Sequence, residues 1–300
     1  MPTFLYLWQR GDNFMENEKN MEQNPEGKKK KVGKRNILSN IVLVIAVVVF
    51  LYSGYQLYTI FSEYHKGDKE YESVIDEAVT EQPSESDDSQ DKNSQNDAQE
   101  QAKKTEHKVL KVDFDKLKKV NKDTVAWIRF DEPSKINYPV VQTTDNDRYL
   151  QYTFEGKKTA VGAIFVDATN AGDFSDRNTF IYGHNMKNGS MFGHLRKYRD
   201  ESFYREYPFF YIYTPDGKEV KYQIFAACIV EDTSDTYQRT FADDAAYLKY
   251  LEYVQGVSIY KTGVELTAES KIVSLSTCTN VSDTQRFVVH GVKVSEMTVK

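Results

Sequence analysis

The chain has 300 residues, two of them cysteines, with 45 Asp and Glu against 39 Lys and Arg. The length allows one or two domains, and a net charge of −6 argues against a dedicated nucleic-acid binder, which carries a basic face. A charged fraction of 28% describes a soluble body with polar additions.

Residues 1–36 are polar and irregular apart from Phe4-Leu5-Tyr6-Leu7-Trp8, and they carry Lys28-Lys29-Lys30-Lys31, Lys34 and Arg35 near their end. Arg10-Gly11-Asp12-Asn13-Phe14 is encodable by a purine-rich stretch resembling a ribosome-binding site, so translation is expected to start at Met15. Residues 37–58 are almost wholly apolar and carry no charge. As a helix they span about 33 Å, enough for a bilayer core of about 30 Å. A cleaved signal peptide would have a shorter core, about 7–15 residues, followed by a small-residue cleavage site. Leu51-Tyr52-Ser53-Gly54-Tyr55 instead flanks its small residues with bulky ones. The expectation is an uncleaved transmembrane anchor. The basic cluster precedes it, which keeps the N-terminus in the cytoplasm and puts everything after Tyr58 on the extracellular face.

Residues 59–107 read as a stalk and spacer. Phe61 to Val79 is charged, with Tyr71, Val74, Ile75 and Ala78 at helical steps. Residues 81–107 are rich in Ser, Gln, Asp and Glu, and such a segment cannot bury enough apolar surface to fold.

The folded domain is expected over residues 108–300. Phe114, Leu117 and Val120 suggest a short helix, and Val125 to Phe130 a strand. Tyr138-Pro139-Val140-Val141 is a second strand, which Pro139 would confine to an edge or a strand end. Asp147 to Leu150 opens a helical turn. Residues 162–166 and 179–182 are strands around the polar loop 167–178. Residues 191–204 read as a helix, and Thr214-Pro215-Asp216-Gly217 as a hairpin turn between strands 209–213 and 220–230. Residues 243–253 form an amphipathic helix. Many short strands with few helices indicate a mostly β fold, a closed or nearly closed β-barrel.

Near the end, Lys271-Ile272-Val273-Ser274-Leu275-Ser276-Thr277-Cys278 reads as a strand that delivers a cysteine to its end. Gln285-Arg286-Phe287-Val288-Val289-His290 reads as the next strand, with an arginine at its start. A thiol beside a guanidinium suits nucleophilic chemistry, because the thiolate is the nucleophile and a cation favours it. The proton carrier is expected to be His184, just after strand 179–182. His194 lies in the expected helix 191–204 and reads as a surface or packing residue. His290 shares a strand face with Arg286 and reads as a hydrogen-bonded strand histidine. His65 and His107 flank the spacer and read as solvated. Asp283, three positions before Arg286, is a possible ion-pair partner for it. Cys228 lies in the apolar run 224–230 and reads as a small buried thiol rather than half of a disulfide. The acidic residues show no metal-ligand spacing, Asp167, Asp173 and Asp176 lack the EF-hand pattern, and no nucleotide fingerprint is present, so no cofactor is expected.

These residues carry a resemblance. Ser274 to Cys278 is similar to the TLxTC motif of sortases, with serine for the usual threonine, and Arg286 falls where that family has its arginine. Tyr182-Gly183-His184-Asn185-Met186-Lys187-Asn188-Gly189-Ser190-Met191-Phe192 resembles the histidine segment of class B sortases in particular. The resemblance covers roughly the last two-thirds of the chain. It implies an eight-stranded barrel with a few peripheral helices, one of them, here 243–253, between the two strands before the cysteine. It implies a cysteine transpeptidase of a Gram-positive cell surface. Cys278 would cleave a sorting motif of secreted proteins after a threonine and hold the product as a thioester, which a cell-wall peptidoglycan amine resolves. His184 would move the protons, and Arg286 would steady the carbonyl oxygen or clamp the substrate backbone. Other readings are a class C, pilus-polymerising sortase, whose Asp-Pro-aromatic lid motif is not found here, a secreted cysteine peptidase, and a non-catalytic anchored binding domain.

Overall fold

The structure is a computed structural model that describes residues 34–82, 107–131 and 133–299. The expected start at Met15, the polar segment up to residue 33 and the spacer over 83–106 lie outside the described residues. The chain divides into two units, one up to Gly54 and one from Tyr55 onward. In the first unit the described residues are helical, part of α1 (Lys34–Ala78). Among the described residues this is the one helix long and apolar enough to cross a membrane.

The second unit is built on strands. After the end of α1 come β1 (Val79–Gln82), β2 (Val109–Val112), α2 (Phe114–Val120), β3 (Thr124–Arg129), β4 (Asn137–Val141), α3 (Arg148–Gln151), β5 (Ile164–Val166) and β6 (Asn178–Tyr182). A 3-10 helix (Gly193–Arg199) and α4 (Glu201–Glu206) lead to β7 (Phe209–Thr214) and β8 (Lys218–Glu231). A 3-10 turn (Asp235–Tyr237) and α5 (Asp244–Val257) precede β9 (Ile272–Cys278) and β10 (Gln285–Thr298). Eight strands close into a barrel in the order β10-β8-β7-β3-β4-β5-β6-β9, while β1 and β2 pair separately. Alternation decides what each strand buries. Val273, Leu275, Phe287 and Val289 join the main core, with Ile128, Val140, Ile181 and Ile212 from other strands. Cys228 joins a second cluster, outside that core, with Tyr247, Tyr250, Leu251 and Val254 of α5.

Three expectations change. The stalk does not stop short of the domain: Tyr71, Val74 and Ala78 of α1 are buried in the main core, and β1 pairs with β2. Their three- and four-residue spacing is an apolar stripe that finds a partner surface on the barrel. Pro139 lies within β4, inside the closed barrel rather than at an edge, and stands across from Trp127. The β4–β5 ladder begins only at Val140, so Pro139 occupies the local end of that pairing. The helix expected over 191–204 is two helices, because the Asp200 side chain accepts from Ser202 N and caps α4.

Candidate active site

Cys278 ends β9, and Arg286, near the start of β10, is its cross-strand Cα partner. Directly opposed residues project on the same face. That face is shared with Ser276 and Ser274, which alternate with the core residues Leu275 and Val273, so Cys278 points out of the barrel. β6 runs parallel to β9 on the other side, with Tyr182 level with Ser276. His184 stands two positions past the last paired residue of β6, as Cys278 stands two past Ser276.

The chain past Tyr182 is held in this register. Gly183 N donates to Ser276 O at 3.2 Å, Thr277 Oγ1 donates to Gly183 O at 2.7 Å, and Asn185 Nδ2 donates to Cys278 O at 2.8 Å. A Cβ at Gly183 would lie 2.4 Å from Ile164 Cδ1 and 2.9 Å from the Phe192 ring, so these buried side chains would have to shift to admit one. Past His184 the chain turns back, and Phe192 N donates to His184 O at 2.9 Å. The imidazole Nε2 lies 2.8 Å from Leu150 O.

Arg286 is anchored. Its Nη2 donates to Asp232 Oδ2 at 3.1 Å, and Nη1 donates to the main-chain oxygens of Asp283 at 2.6 Å and Gln285 at 3.2 Å. Asp283 thus meets Arg286 through its carbonyl, and the carboxylate partner is Asp232, just after β8.

The β8–β9 connection supplies further groups. Tyr237 lies 2.7 Å from Ser276 Oγ and stacks on Phe180. Burial pushes its phenol up to about 12, against the pull of the Ser276 hydrogen bond and the Arg286 charge, so it stays a neutral hydroxyl. Arg239 reaches Tyr182 OH at 3.2 Å and the Asp167 carboxylate at 2.9 Å. Asp167 also accepts from Thr169, Asn146 and Tyr182. Burial pushes the Asp167 carboxyl up, but the Thr169 and Tyr182 hydrogen bonds and the Arg239 charge outweigh it and hold the group below the usual range. Asp167 is thus a fixed anion joining the loop after β5 to the strand that carries His184.

The rival residues separate from these. Burial pushes the Cys228 thiol up to about 12, and its one partner is Val254 O at 3.7 Å. His194 is buried, accepts from Lys135 N at 3.0 Å, and is lowered by burial to about 4. His290 is fully buried against Ser274 Oγ at 2.8 Å and lowered by burial to about 3. His65 is exposed. His107 departs from expectation: it stacks on Tyr211 at 3.7 Å and bridges Asp131 and Glu219. No group of three or more metal-ligating side chains occurs among the described residues. Asp167, Asp173 and Asp176 hold hydrogen bonds of the loop between β5 and β6. Sequence reasoning did not single out Tyr237, Arg239 or Asp232. The legible signal near them was Tyr182, two residues before His184, whose hydroxyl Arg239 reaches.

Comparison with known proteins identifies the family. A family model described as the sortase domain matches residues 131–294, more than half of the chain. The sortase B of Listeria monocytogenes is 36% identical over 184 residues, 60% of this chain and 73% of the relative. The sortase B of Staphylococcus aureus is 34% identical over 201 residues, covering 66% and 80% of the two chains. Among solved structures, a Bacillus anthracis sortase B superposes with a TM-score of 0.62 at 31% identity, covering 79% of this chain and 100% of that one. A Staphylococcus aureus sortase B–substrate complex superposes with a TM-score of 0.57 at 31% identity, covering 61% and 85%.

Proposed function

This chain belongs to the sortase family, in its class B branch, and is a cysteine transpeptidase; from that we propose that it joins secreted proteins to the cell wall through Cys278, His184 and Arg286. The observation that supports the reading is the pairing of Cys278 with Arg286 across β9 and β10, with Tyr182, two residues before His184, level with Ser276 on the neighbouring strand β6. The Cys278 thiol gives its proton to His184 as the sulfur attacks the carbonyl carbon of a threonine in a sorting motif. The C–N bond breaks, and His184 gives its proton to the leaving amine. The acyl group stays on sulfur as a thioester. An amine of a peptidoglycan peptide then attacks and gives its proton to His184, the C–S bond breaks, and His184 returns that proton to the Cys278 sulfur.

The carbonyl oxygen gains charge in both tetrahedral steps. The guanidinium of Arg286 supplies fixed N–H donors beside it. Asp232 and two carbonyls already hold its fork in place, so little reorganisation is needed when charge develops. The apolar part of α1 serves as a membrane anchor, with the barrel on the extracellular side. This suits substrates that leave the cytoplasm before they meet the wall. The Staphylococcus aureus relative solved with substrate supports a substrate-binding face on this fold.

The test is incubation of the full chain with sorting-type peptides, with and without candidate amines. A Cys278 thioester adduct and an amide product that grows with added amine are expected. Hydrolysis at an unchanged rate, with no transfer to any amine, would defeat the reading.

A further inference from the structure

His184 rests on a platform. Its Nε2 lies 2.8 Å from Leu150 O, and a carbonyl oxygen only accepts, so Nε2 carries the hydrogen. In the neutral ring Nδ1 is then the nitrogen left to exchange a proton. The other support is Gly162, at φ +61°. A Cβ on Gly162 would lie 3.0 Å from His184 Cδ2, 3.1 Å from Leu150 O and 2.5 Å from Tyr149 O, so bare backbone fills the space against the ring edge.

What holds Gly162 there comes from α1, far away in sequence. The Tyr71 hydroxyl donates to Gly162 O at 2.8 Å and accepts from Phe154 N at 3.2 Å, which closes the loop between them. Tyr71 is 3% exposed. One helical turn earlier, Gly67 packs on Val161. Glu70 accepts from Glu155 N at 2.9 Å. The Tyr71 ring also meets Tyr138 edge-on at 5.2 Å, and the Tyr138 hydroxyl accepts from Met191 N at 3.1 Å. Met191 precedes Phe192, whose amide donates to His184 O. Tyr71 thus braces both the surface under His184 and the loop that carries it.

We propose that Tyr71 is a positioning residue for His184, acting through Gly162, so that the helix following the apolar span takes part in setting up catalysis. This rests on the reading of His184 as the proton carrier. Misplacing a reacting group by about 1 Å costs up to about 100-fold.

The test uses the full chain and four measurements: kcat, KM, melting temperature and the pH–kcat profile. Tyr71→Phe keeps the ring and removes only the hydroxyl. Its kcat is expected to fall about ten- to 100-fold, with KM little changed and the pH–kcat profile displaced. Val74→Ala, on the same buried face, is the packing control. It is expected to lower the melting temperature and leave the pH–kcat profile in place. Wild-type kcat and pH profile in Tyr71→Phe, or an equal displacement in Val74→Ala, would overturn the proposal. His184→Ala separates the two levels. Inactive His184→Ala beside fully active Tyr71→Phe removes the proposal alone, whereas active His184→Ala removes the reading of the site and the proposal with it. A readout independent of the variants is the imidazole nitrogen spectrum of the wild-type chain. Where the ring is neutral, the hydrogen is expected on Nε2, and the Nδ1–H tautomer would overturn the arrangement.

Discussion

Arg286 is the cross-strand partner of Cys278, yet its guanidinium is fastened to Asp232 at 3.1 Å and to the main-chain carbonyls of Asp283 and Gln285. The ladder brings the charge to the thiol, and the loop fixes the orientation of the fork. A planar fork held at three points differs from a point charge on a flexible stem. Arg286→Lys and Arg286→Ala are both expected to lose turnover on the scale of a lost oxyanion donor, about 100- to 1,000-fold or about 2.7–4 kcal/mol. Asp232→Asn keeps the shape and weakens one tether, so its loss should be smaller than either. Turnover, melting temperature and the pH dependence of Cys278 alkylation decide the matter. Near wild-type turnover in the lysine variant would refute the fork, and a displaced alkylation profile in the alanine variant alone would assign Arg286 to thiolate stabilisation.

The two cysteines should behave differently. Both are free, one in the cluster under α5 and one at the outward end of β9. Cys278→Ala is expected to abolish turnover and the thioester adduct. Cys228→Ser places a hydroxyl among apolar side chains with Val254 O as its nearest acceptor, a cost of about 1–3 kcal/mol if the bond forms poorly. Its turnover should stay close to wild type, and reductant should leave the wild type fully active. Inactivation by reductant would mean that a disulfide is required after all.

Removal of the helix tests how far the domain extends. A chain begun at Lys108 loses Tyr71, Val74 and Ala78, which are buried in the main core. A fully buried large apolar side chain contributes about 1.5–3 kcal/mol, and whole domains are stable by about 5–15 kcal/mol. The shortened chain is expected to melt well below one begun at Tyr55 and to turn over more slowly. Equal melting temperatures and turnover in the two would show that the helix adds nothing to the folded body.

How much of this could be read beforehand follows from the range of each interaction. The barrel was legible because strand alternation is local: β9 announces itself through Ile272 to Cys278, and β10 through Phe287 to Val289. The positions of Cys278 and Arg286 follow from one hairpin. His184 was picked out by its place just after strand 179–182 and by the family resemblance, but no local pattern links it to Cys278, because that link crosses to β6. The end of α1 showed its stripe, Tyr71, Val74 and Ala78, but the acidic residues around it suggested solvent, and the surface it packs on lies some 80 to 90 residues further along the chain. Arg239 and Asp167 meet through side chains on separate loops, with no local pattern to mark them. His107 was misjudged for the same reason: its neighbours in sequence are polar, while its partners are 24 and 112 residues away.

That last cluster gives a pH prediction. The His107 ring nitrogens lie 3.1 Å from Asp131 Oδ1 and 3.0 Å from Glu219 Oε1, so both nitrogens carry hydrogens and the ring is a cation. Burial pulls its pKa down, but the hydrogen bonds to Asp131 and Glu219 outweigh that and raise it to about 9. A folded value above the ordinary value of about 6.5 means that the folded chain holds the proton more tightly. The stabilisation is then complete below about pH 6.5 and fades as pH rises through about 9. It ties the chain just before β2 to β8, where Glu219 is 3% exposed. His107→Gln keeps a polar side chain and removes the titration. The melting-temperature gap between wild type and His107→Gln should be largest near pH 6 and should close by about pH 10. A gap that stays constant across that range would show that the ring acts through its stacking on Tyr211 alone.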